Sequence, residues 1–274
     1  MHTHGHTYRH DHRSRSDTTA DTPRQHRVPQ HSLSQLALAN RAEVSARHVS
    51  FLETGRSRPT RTMLLRLADQ LDIPLRERNS LLLAAGLAPA YPEHRLGDVP
   101  MAAVADAIER ILASHRPYPA LVVDRHWTMV DANDAVVGLL DGCAPRLLEP
   151  PVNVLRVTLH PEGMAPRIAN HGQWRAHLLT RLRHQLAATG DPVLRRLHAE
   201  LAAYPCDDGH DAELDPAGAH ALVVPLRLRT DDGELSLLST TTLFGTPLDV
   251  TVAELAIEAF YPADETTRRL LGSR

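Results

Sequence analysis

The stretch Leu33-Ser34-Gln35-Leu36-Ala37-Leu38-Ala39-Asn40-Arg41-Ala42-Glu43-Val44-Ser45-Ala46-Arg47-His48-Val49-Ser50-Phe51-Leu52-Glu53-Thr54-Gly55-Arg56-Ser57-Arg58-Pro59 decides how the front of the chain folds. Its apolar residues recur at helical spacing but are interrupted by turn chemistry, which predicts short helices meeting at an angle. Ser32 or Ser34 can cap the first and Ser45 the second, while Thr60 can cap a third carrying Leu64, Leu67, Ala68 and Leu71. Val44 falls in the turn and plugs the angle between the first two helices. Val49 and Leu52, three apart, face inward. That leaves Ala46, Arg47, Ser50 and Phe51 on the outward side of a short, capped helix.

This pattern, Leu33-Ser34-Gln35, Leu38-Ala39, Val44-Ser45, Val49-Ser50, Glu53, Gly55 and Pro59, resembles the lambda-repressor-like (XRE-type) helix-turn-helix. The resemblance implies double-stranded DNA as partner, with the start of the second helix reading base edges and neighbouring groups gripping phosphates. Carried across, Ala46, Arg47, His48 and Ser50 are the reading residues, and Arg suits guanine because its fork matches two acceptors. Ser45 caps that helix, and Gln35 opens the one before it, where it can buttress the readers. Thr54, Arg56 and Arg58 flank the Gly55 loop, and the two arginines are expected on phosphates. Glu53 reads as an intramolecular partner for an arginine. Two positions depart from the family. Glu43 stands where a glycine with positive φ is usual, a strain of roughly 1 kcal/mol. Upstream, where a further helix belongs, Arg24-Gln25-His26-Arg27-Val28-Pro29-Gln30-His31 offers almost nothing apolar and an internal proline, so that helix reads as missing or replaced.

Further along, Leu75–Leu87 reads as a helix ended by Gly86 and Pro89, and 88–100, with four residues of Pro or Gly, as a linker. A helix is expected over Met101–Ser114. Ala120–Val123 and Trp127–Ala132 read as strands around an Asp124-Arg125-His126 turn, and Asn133 can cap a helix to Leu140. Gln173–Ala188 places Trp174, Leu178, Leu182 and Leu186 on one stripe. Pro192–Ala203 follows Asp191 as cap. Ala219–Thr230 and Glu234–Phe244 are strands joined at Asp232-Gly233, and Leu248–Phe260 reads as one more.

Within this half, Pro119-Ala120-Leu121-Val122-Val123-Asp124, Trp127, Asn133, Asn153-Val154-Leu155-Arg156 and His160-Pro161-Glu162-Gly163 resemble the ligand-binding domain of MmyB-like transcription regulators, a PAS-like fold. Thr54-Gly55-Arg56-Ser57-Arg58-Pro59 and Leu75-Arg76-Glu77-Arg78-Asn79 match the same family. The resemblance implies an apolar chamber between a curved antiparallel sheet and helices, taking a fatty-acid-like or other apolar small molecule. Leu121, Val123, Leu178, Leu182, Leu222, Val224 and Leu237 are candidates for its lining. Asn153, Arg156, His160, Arg167 and Trp174 are candidates for the ligand site, an arginine being able to pair with a carboxylate.

The expected fold class is α+β: a 1–31 His/Arg-rich tail, an all-α helix-turn-helix domain over 32–87, the 88–100 linker, and a PAS-like sheet-and-helix domain over 101–274. The expected function is operator binding modulated by a small apolar ligand, by a homodimer, since two-fold operators mirror dimers. The alternative is a protein-interaction or dimerisation module with a degenerate DNA-binding end. Composition fits either. Formal net charge is −3 over 274 residues, yet residues 1–60 hold nine arginines against five acidic residues. Cys143 and Cys206 are too far apart and too few for a zinc or disulfide framework, and no apolar run reaches the roughly 18 residues of a membrane span, so a cytoplasmic protein is expected. The tail's His2, His4, His6, His10 and His12 allow metal capture, but a solvated segment is the plainer reading. Nucleophile-elbow, Walker, zinc-protease and dinucleotide motifs are all absent from the sequence, so neither catalysis nor a cofactor is expected.

Overall fold

Two serine hydroxyls start the first two helices. Ser34 accepts from the Ala37 amide ahead of α1 (Gln35–Arg41), and Ser45 accepts from the His48 amide, at 3.2 Å, ahead of α2 (Ala46–Glu53). The computed structural model describes residues 34–206 and 223–272 and divides into two units, one ending at Ser57 and the next beginning at Arg58. The expectations for the 1–31 tail, the replaced helix at 24–31, Ser32, Leu33 and the strand start at 219–222 with Leu222 lie outside the described residues.

In the first unit α1 packs on α2, and Ala39, Ala42 and Val49 are buried. The Val44 amide donates to the Ala39 carbonyl at 2.9 Å, which closes the turn. Glu43 occupies that turn at φ +54°, the left-handed conformation the sequence forces on a non-glycine residue. Glu43→Gly should therefore stabilise this unit by roughly 0.5–1 kcal/mol after glycine's greater unfolded-state freedom is deducted. Amide hydrogen exchange is the check: protection across α2 should rise about two- to fivefold, and unchanged or weaker protection would contradict the strain.

The second unit opens with α3 (Arg61–Gln70), capped by Thr60, and α4 (Leu75–Ala84), which pack together. The stretch read as a linker is strapped to them. Arg61 donates to the Ala88 and Pro89 carbonyls, and the Asn79 side chain accepts from the Ala90 and Tyr91 amides while donating to the Tyr91 carbonyl. Then come α5 (Ala102–Ser114), β1 (Ala120–Val123), β2 (Met129–Ala132), α6 (Asp134–Val137), α7 (Val154–Leu159), α8 (His171–Thr189), α9 (Pro192–Ala202), β3 (Leu226–Thr230), β4 (Gly233–Leu243), α10 (Val250–Glu254), β5 (Ala256–Pro262) and α11 (Glu265–Gly272).

The five strands form one antiparallel sheet in the order β2-β1-β5-β4-β3. Its middle is buried on both faces, as the unbroken apolar run of β1 requires. On one face Ala120, Val122, Ile257 and Ala259 meet Ile108 and Leu112 of α5. On the other, Leu121, Val123, Leu226, Leu235 and Leu237 join Leu178, Leu182, Leu194 and Leu201 in the larger core. The architecture is α+β, a helical region followed by a curled five-stranded sheet with helices.

Three boundaries differ from the sequence reading. The strand expected from Trp127 begins at Met129, because Trp127 turns through φ +66° with its amide donating to the Asp124 carbonyl at 3.0 Å. The run Leu248–Phe260 is not one strand: Asp249 accepts from the Thr251 and Val252 amides and caps α10, and only afterwards does β5 begin. The helix expected from Asn133 to Leu140 shrinks to α6, while α7 and α11 are additions.

Candidate nucleic-acid interface and ligand cavity

α2 carries Ala46, Arg47, His48 and Ser50 within two turns, with Val49 buried between them. Arg47 is exposed and its guanidinium carbon lies 5.1 Å from the Phe51 ring centroid, a cation–π contact that holds the fork on the outer side of the helix. Ala46, His48 and Ser50 are half-buried. Thr54 Oγ1 donates to the Ser50 carbonyl at 2.8 Å and ends α2, and Gly55 follows at φ +69°. Arg56 is exposed, as is Arg58 at the start of the second unit. Gln35 donates from its amide to the Glu53 carboxylate. Glu53 thus pairs with Gln35, where the sequence suggested an arginine, and among the described residues Arg47 and Arg56 meet no carboxylate. Eight of the chosen positions, with Gln35 and Ser45 included, therefore share the small two-helix unit, and Arg58 opens the next.

The second unit holds a partly open cavity of about 70 Å³ between the sheet and helices α6, α7 and α8. Its wall is mostly apolar, with Leu121, Met129, Val136, Leu155, Val157 and Phe260 among it. Both tryptophans of the chain, Trp127 and Trp174, face it. Trp127 donates Nε1–H to Gln185 Oε1 at 2.9 Å, whereas the buried Trp174 Nε1–H has no acceptor among the described residues.

Among the described residues the wall contains one ion pair. Arg181 on α8 and Glu258 on β5 are joined by two bonds, Nη1 to Oε2 at 2.9 Å and Nη2 to Oε1 at 2.5 Å. Thr241 Oγ1 accepts from Arg181 and donates to Glu258, and the guanidinium carbon lies 4.5 Å from the Trp127 ring centroid. Glu258 is only 4% exposed. Burial, then the Arg181 cation, holds the nearby His177 below the usual histidine range, against a smaller upward pull from Glu258. His177, stacked on Trp174 at 5.3 Å, is thus neutral at pH 7.

Residues 104–273 match the model of the MmyB-like transcription regulator ligand binding domain. The chain belongs to that family. Residues 24–78 match a helix-turn-helix model, a span that contains α1, α2 and α3 and reaches into α4. The protein is therefore a DNA-binding transcription regulator with a ligand-binding domain, both parts being of regulator type. No curated protein matches the chain significantly. Among solved structures, one described as an RNA-binding light-oxygen-voltage receptor is similar over 87% of this chain at 15% identity, with a TM-score of 0.25; the chain spans 54% of that protein. Among the described residues no helix is long and apolar enough to cross a membrane, and no group of three metal-ligating side chains converges.

The MmyB-like domain distributes the five sequence-chosen ligand residues unevenly. Only Trp174 lines the cavity. Asn153 caps α7, accepting from the Arg156 amide and donating to the His126 carbonyl at 2.8 Å. Arg156 does not line the cavity and forms a two-bond pair with Glu200, which also accepts from the Tyr204 hydroxyl. The Arg156 bonds hold Glu200 below the usual carboxylate range, and burial with that bond pushes Tyr204 up to about 12. His160 packs edge-on against Tyr204 at 5.1 Å, its pKa lowered by burial and then by Arg146. Arg167 donates to the Leu139 carbonyl at 2.5 Å. Of the residues offered as lining, Leu121 and Leu178 line the cavity, while Val123, Leu182 and Leu237 fill the core around it and Val224 packs against that core.

Arg181 and Glu258 were not among the sequence-chosen residues. A signal existed for both. Trp174, Leu178 and Arg181 stand at i, i+4 and i+7 on α8, which puts the arginine on the core-facing stripe. Glu258 shares strand phase with Ala256 and Phe260, which pack on the same core.

Proposed function

We propose that the chain binds operator DNA through α2 and its flanks and that a small apolar molecule in the cavity beneath the sheet modulates this binding. The observation that carries the reading is the capped α2, with Arg47 exposed on one side and Val49 buried on the other. Arg47, with Ala46, His48 and Ser50, reads base edges. Gln35 and Ser45 fix the helix, while Thr54, Arg56 and Arg58 meet the phosphate backbone. The domain division at 32–87, 88–100 and 101–274, a PAS-like fold for the sheet, a cytoplasmic homodimer and a fatty-acid-like small molecule as ligand belong to the same reading. The curled antiparallel sheet around an apolar chamber supports it. In that chamber Trp174 contacts ligand, while Asn153, Arg156, His160 and Arg167 hold the frame around it.

A route for modulation is available inside the second unit. Trp127 in the cavity wall bonds Gln185, whose amide donates to the Arg125 carbonyl at 2.7 Å. The Arg125 guanidinium lies 3.6 Å from Glu254, which accepts from Arg76 of α4 at 2.7 Å. Arg76 falls within the helix-turn-helix match. Trp127 is also the strained residue at φ +66°, and strain beside a cavity marks a segment that a ligand can shift.

Selection of duplexes from a random pool tests the DNA reading. The native chain should enrich a preferred sequence and bind it with strong salt dependence. Arg47→Ala should relax preference at one base position by about 1–3 kcal/mol, whereas Arg56→Ala should weaken all sequences alike and lower the salt slope by about 1. A chain that forms no salt-sensitive, sequence-preferring complex is not an operator binder.

A further inference from the structure

Phe51 lies on the outward side of α2 and has no part in the polar readout. Ala39, Ala42 and Val49 are buried in the first unit, whereas Phe51 is half-buried and stands four residues after Arg47 on the same face of the helix. A helical side chain leans towards the helix N-terminus, so the Phe51 ring lies over the turn that carries Arg47, at the end of α2 that meets base edges. The contact agrees with this direction: the Arg47 guanidinium carbon sits over the ring, 5.1 Å from its centroid.

This pairing has two consequences for readout. A carboxylate partner would occupy the N–H donors of the fork, whereas a phenyl ring has no lone pair and leaves them for the O6 and N7 acceptors of guanine. The ring also carries an apolar surface to wherever the fork goes. Neighbouring bases along a strand are about 3.4 Å apart, so a ring centred 5.1 Å from a fork on guanine reaches the adjoining base pair. The apolar group that sets one base apart from the others in the major groove is the C5-methyl of thymine, and a phenylalanine ring is a natural partner for it.

We infer that Phe51 is a specificity-determining residue. While the Arg47 fork holds a guanine, the Phe51 ring packs on the C5-methyl of a thymine in the adjoining base pair, so that the two side chains read guanine and thymine as one step. This rests on the reading that α2 binds operator DNA, and it adds to the polar readers a contact that recognises a methyl group.

The test uses the full chain and the duplex it selects from a random pool, at one fixed salt concentration. Replacing each guanine in turn by 7-deazaguanine removes the N7 acceptor and keeps the base pair. The guanine whose replacement weakens the native chain but not Arg47→Ala is the one held by the fork. The thymines in the adjoining base pairs are then replaced singly by deoxyuridine, which lacks only the methyl group. One such replacement should weaken the native chain about fourfold, the loss expected for one buried methyl group. It should change the affinity of Phe51→Ala little. If no guanine answers to Arg47, if no thymine adjoins it, or if deoxyuridine binds the native chain as tightly as thymine, the role of Phe51 is overturned and operator binding still stands. An equal deoxyuridine loss in the native chain and in Phe51→Ala gives the methyl group to another residue and overturns the inference as well. A chain that selects no duplex overturns the operator reading and the inference with it. Should Phe51→Ala not fold, Phe51→Gln, a helix-compatible polar replacement, serves in the same comparison.

Discussion

Replacing Arg181 by alanine should lower the unfolding free energy by about 3 kcal/mol, far beyond what an exposed ion pair supplies. The reason is what the substitution leaves behind. The Glu258 side chain is 6% exposed, and without the guanidinium it keeps only the Thr241 hydroxyl as donor within the network. The arginine itself is 29% exposed at its side chain, so the converse variant, Glu258→Ala, leaves a cation that can turn toward water and should cost less. Arg181→Ala also empties the place over Trp127, where the guanidinium carbon sits 4.5 Å from the ring centroid. Thermal unfolding at pH 7 should show a fall in Tm of about 6–12 °C. Removing both partners as Arg181→Met with Glu258→Leu should recover most of the loss, since an apolar pair of similar volume replaces a buried ion pair at little cost. A single-variant loss below about 1 kcal/mol, or a double variant as weak as Arg181→Ala, would show that the pair is screened by solvent.

This pair also marks where sequence reading stops. Local chemistry was legible. Ser34 and Ser45 cap as their type and place require, Asp191 accepts from the Val193 amide ahead of Pro192, and Glu43 takes the positive φ that its place in the turn demands. The hairpin was legible to within a residue: Asp231 and Asp232 form its tip and Gly233 already pairs opposite Thr230. Each of these depends on atoms only a few residues apart in the chain. Arg181 and Glu258 are 77 residues apart, and no spacing rule relates them. Only their separate positions, each on a core-facing stripe, could have raised them.

The ligand residues failed to converge for a related reason. Asn153, Arg156 and His160 stand in recognisable motifs and Arg167 follows close behind, and polar groups so placed invite a ligand role. Their partners come from elsewhere: the His126 carbonyl, Glu200, Tyr204 and the Leu139 carbonyl. With those partners in place the four groups are satisfied by protein. Trp174 is the exception: it lines the cavity, and that its buried N–H lacks an acceptor among the described residues is visible only once the surrounding atoms are placed. The run Leu248–Phe260 misled differently. Short apolar runs do not distinguish strand from helix, and the decisive signal was Asp249 followed by Thr251 and Val252, an N-cap inside an apolar segment.

Gly163 shows a glycine whose role is space and not backbone freedom. It closes His160-Pro161-Glu162-Gly163, its amide donating to the His160 carbonyl at 2.8 Å. A methyl group added there would lie 2.1 Å from the Val157 carbonyl oxygen and 3.0 Å from its carbon. Both atoms are backbone at the end of α7, so no rotamer change relieves the clash. The same carbonyl accepts from the Met164 amide at 2.8 Å, so pushing it aside also breaks the bond that holds the following turn. Gly163→Ala should therefore destabilise the domain by about 3 kcal/mol, the upper range for overpacking, with Tm down by about 6–12 °C. The effect should reach the cavity, because Leu155, Val157 and Thr158 of α7 and Met164 beyond the glycine all belong to its wall. In the folded fraction Trp174 and Trp127 should then emit differently from the native chain even without ligand. Gly97→Ala, where an added methyl group meets nothing within 4 Å, provides the matched control and should be near neutral. If Gly163→Ala melted with the native chain and kept its emission, the turn after α7 would have to be looser than its hydrogen bonds indicate, and the cavity wall would not depend on it.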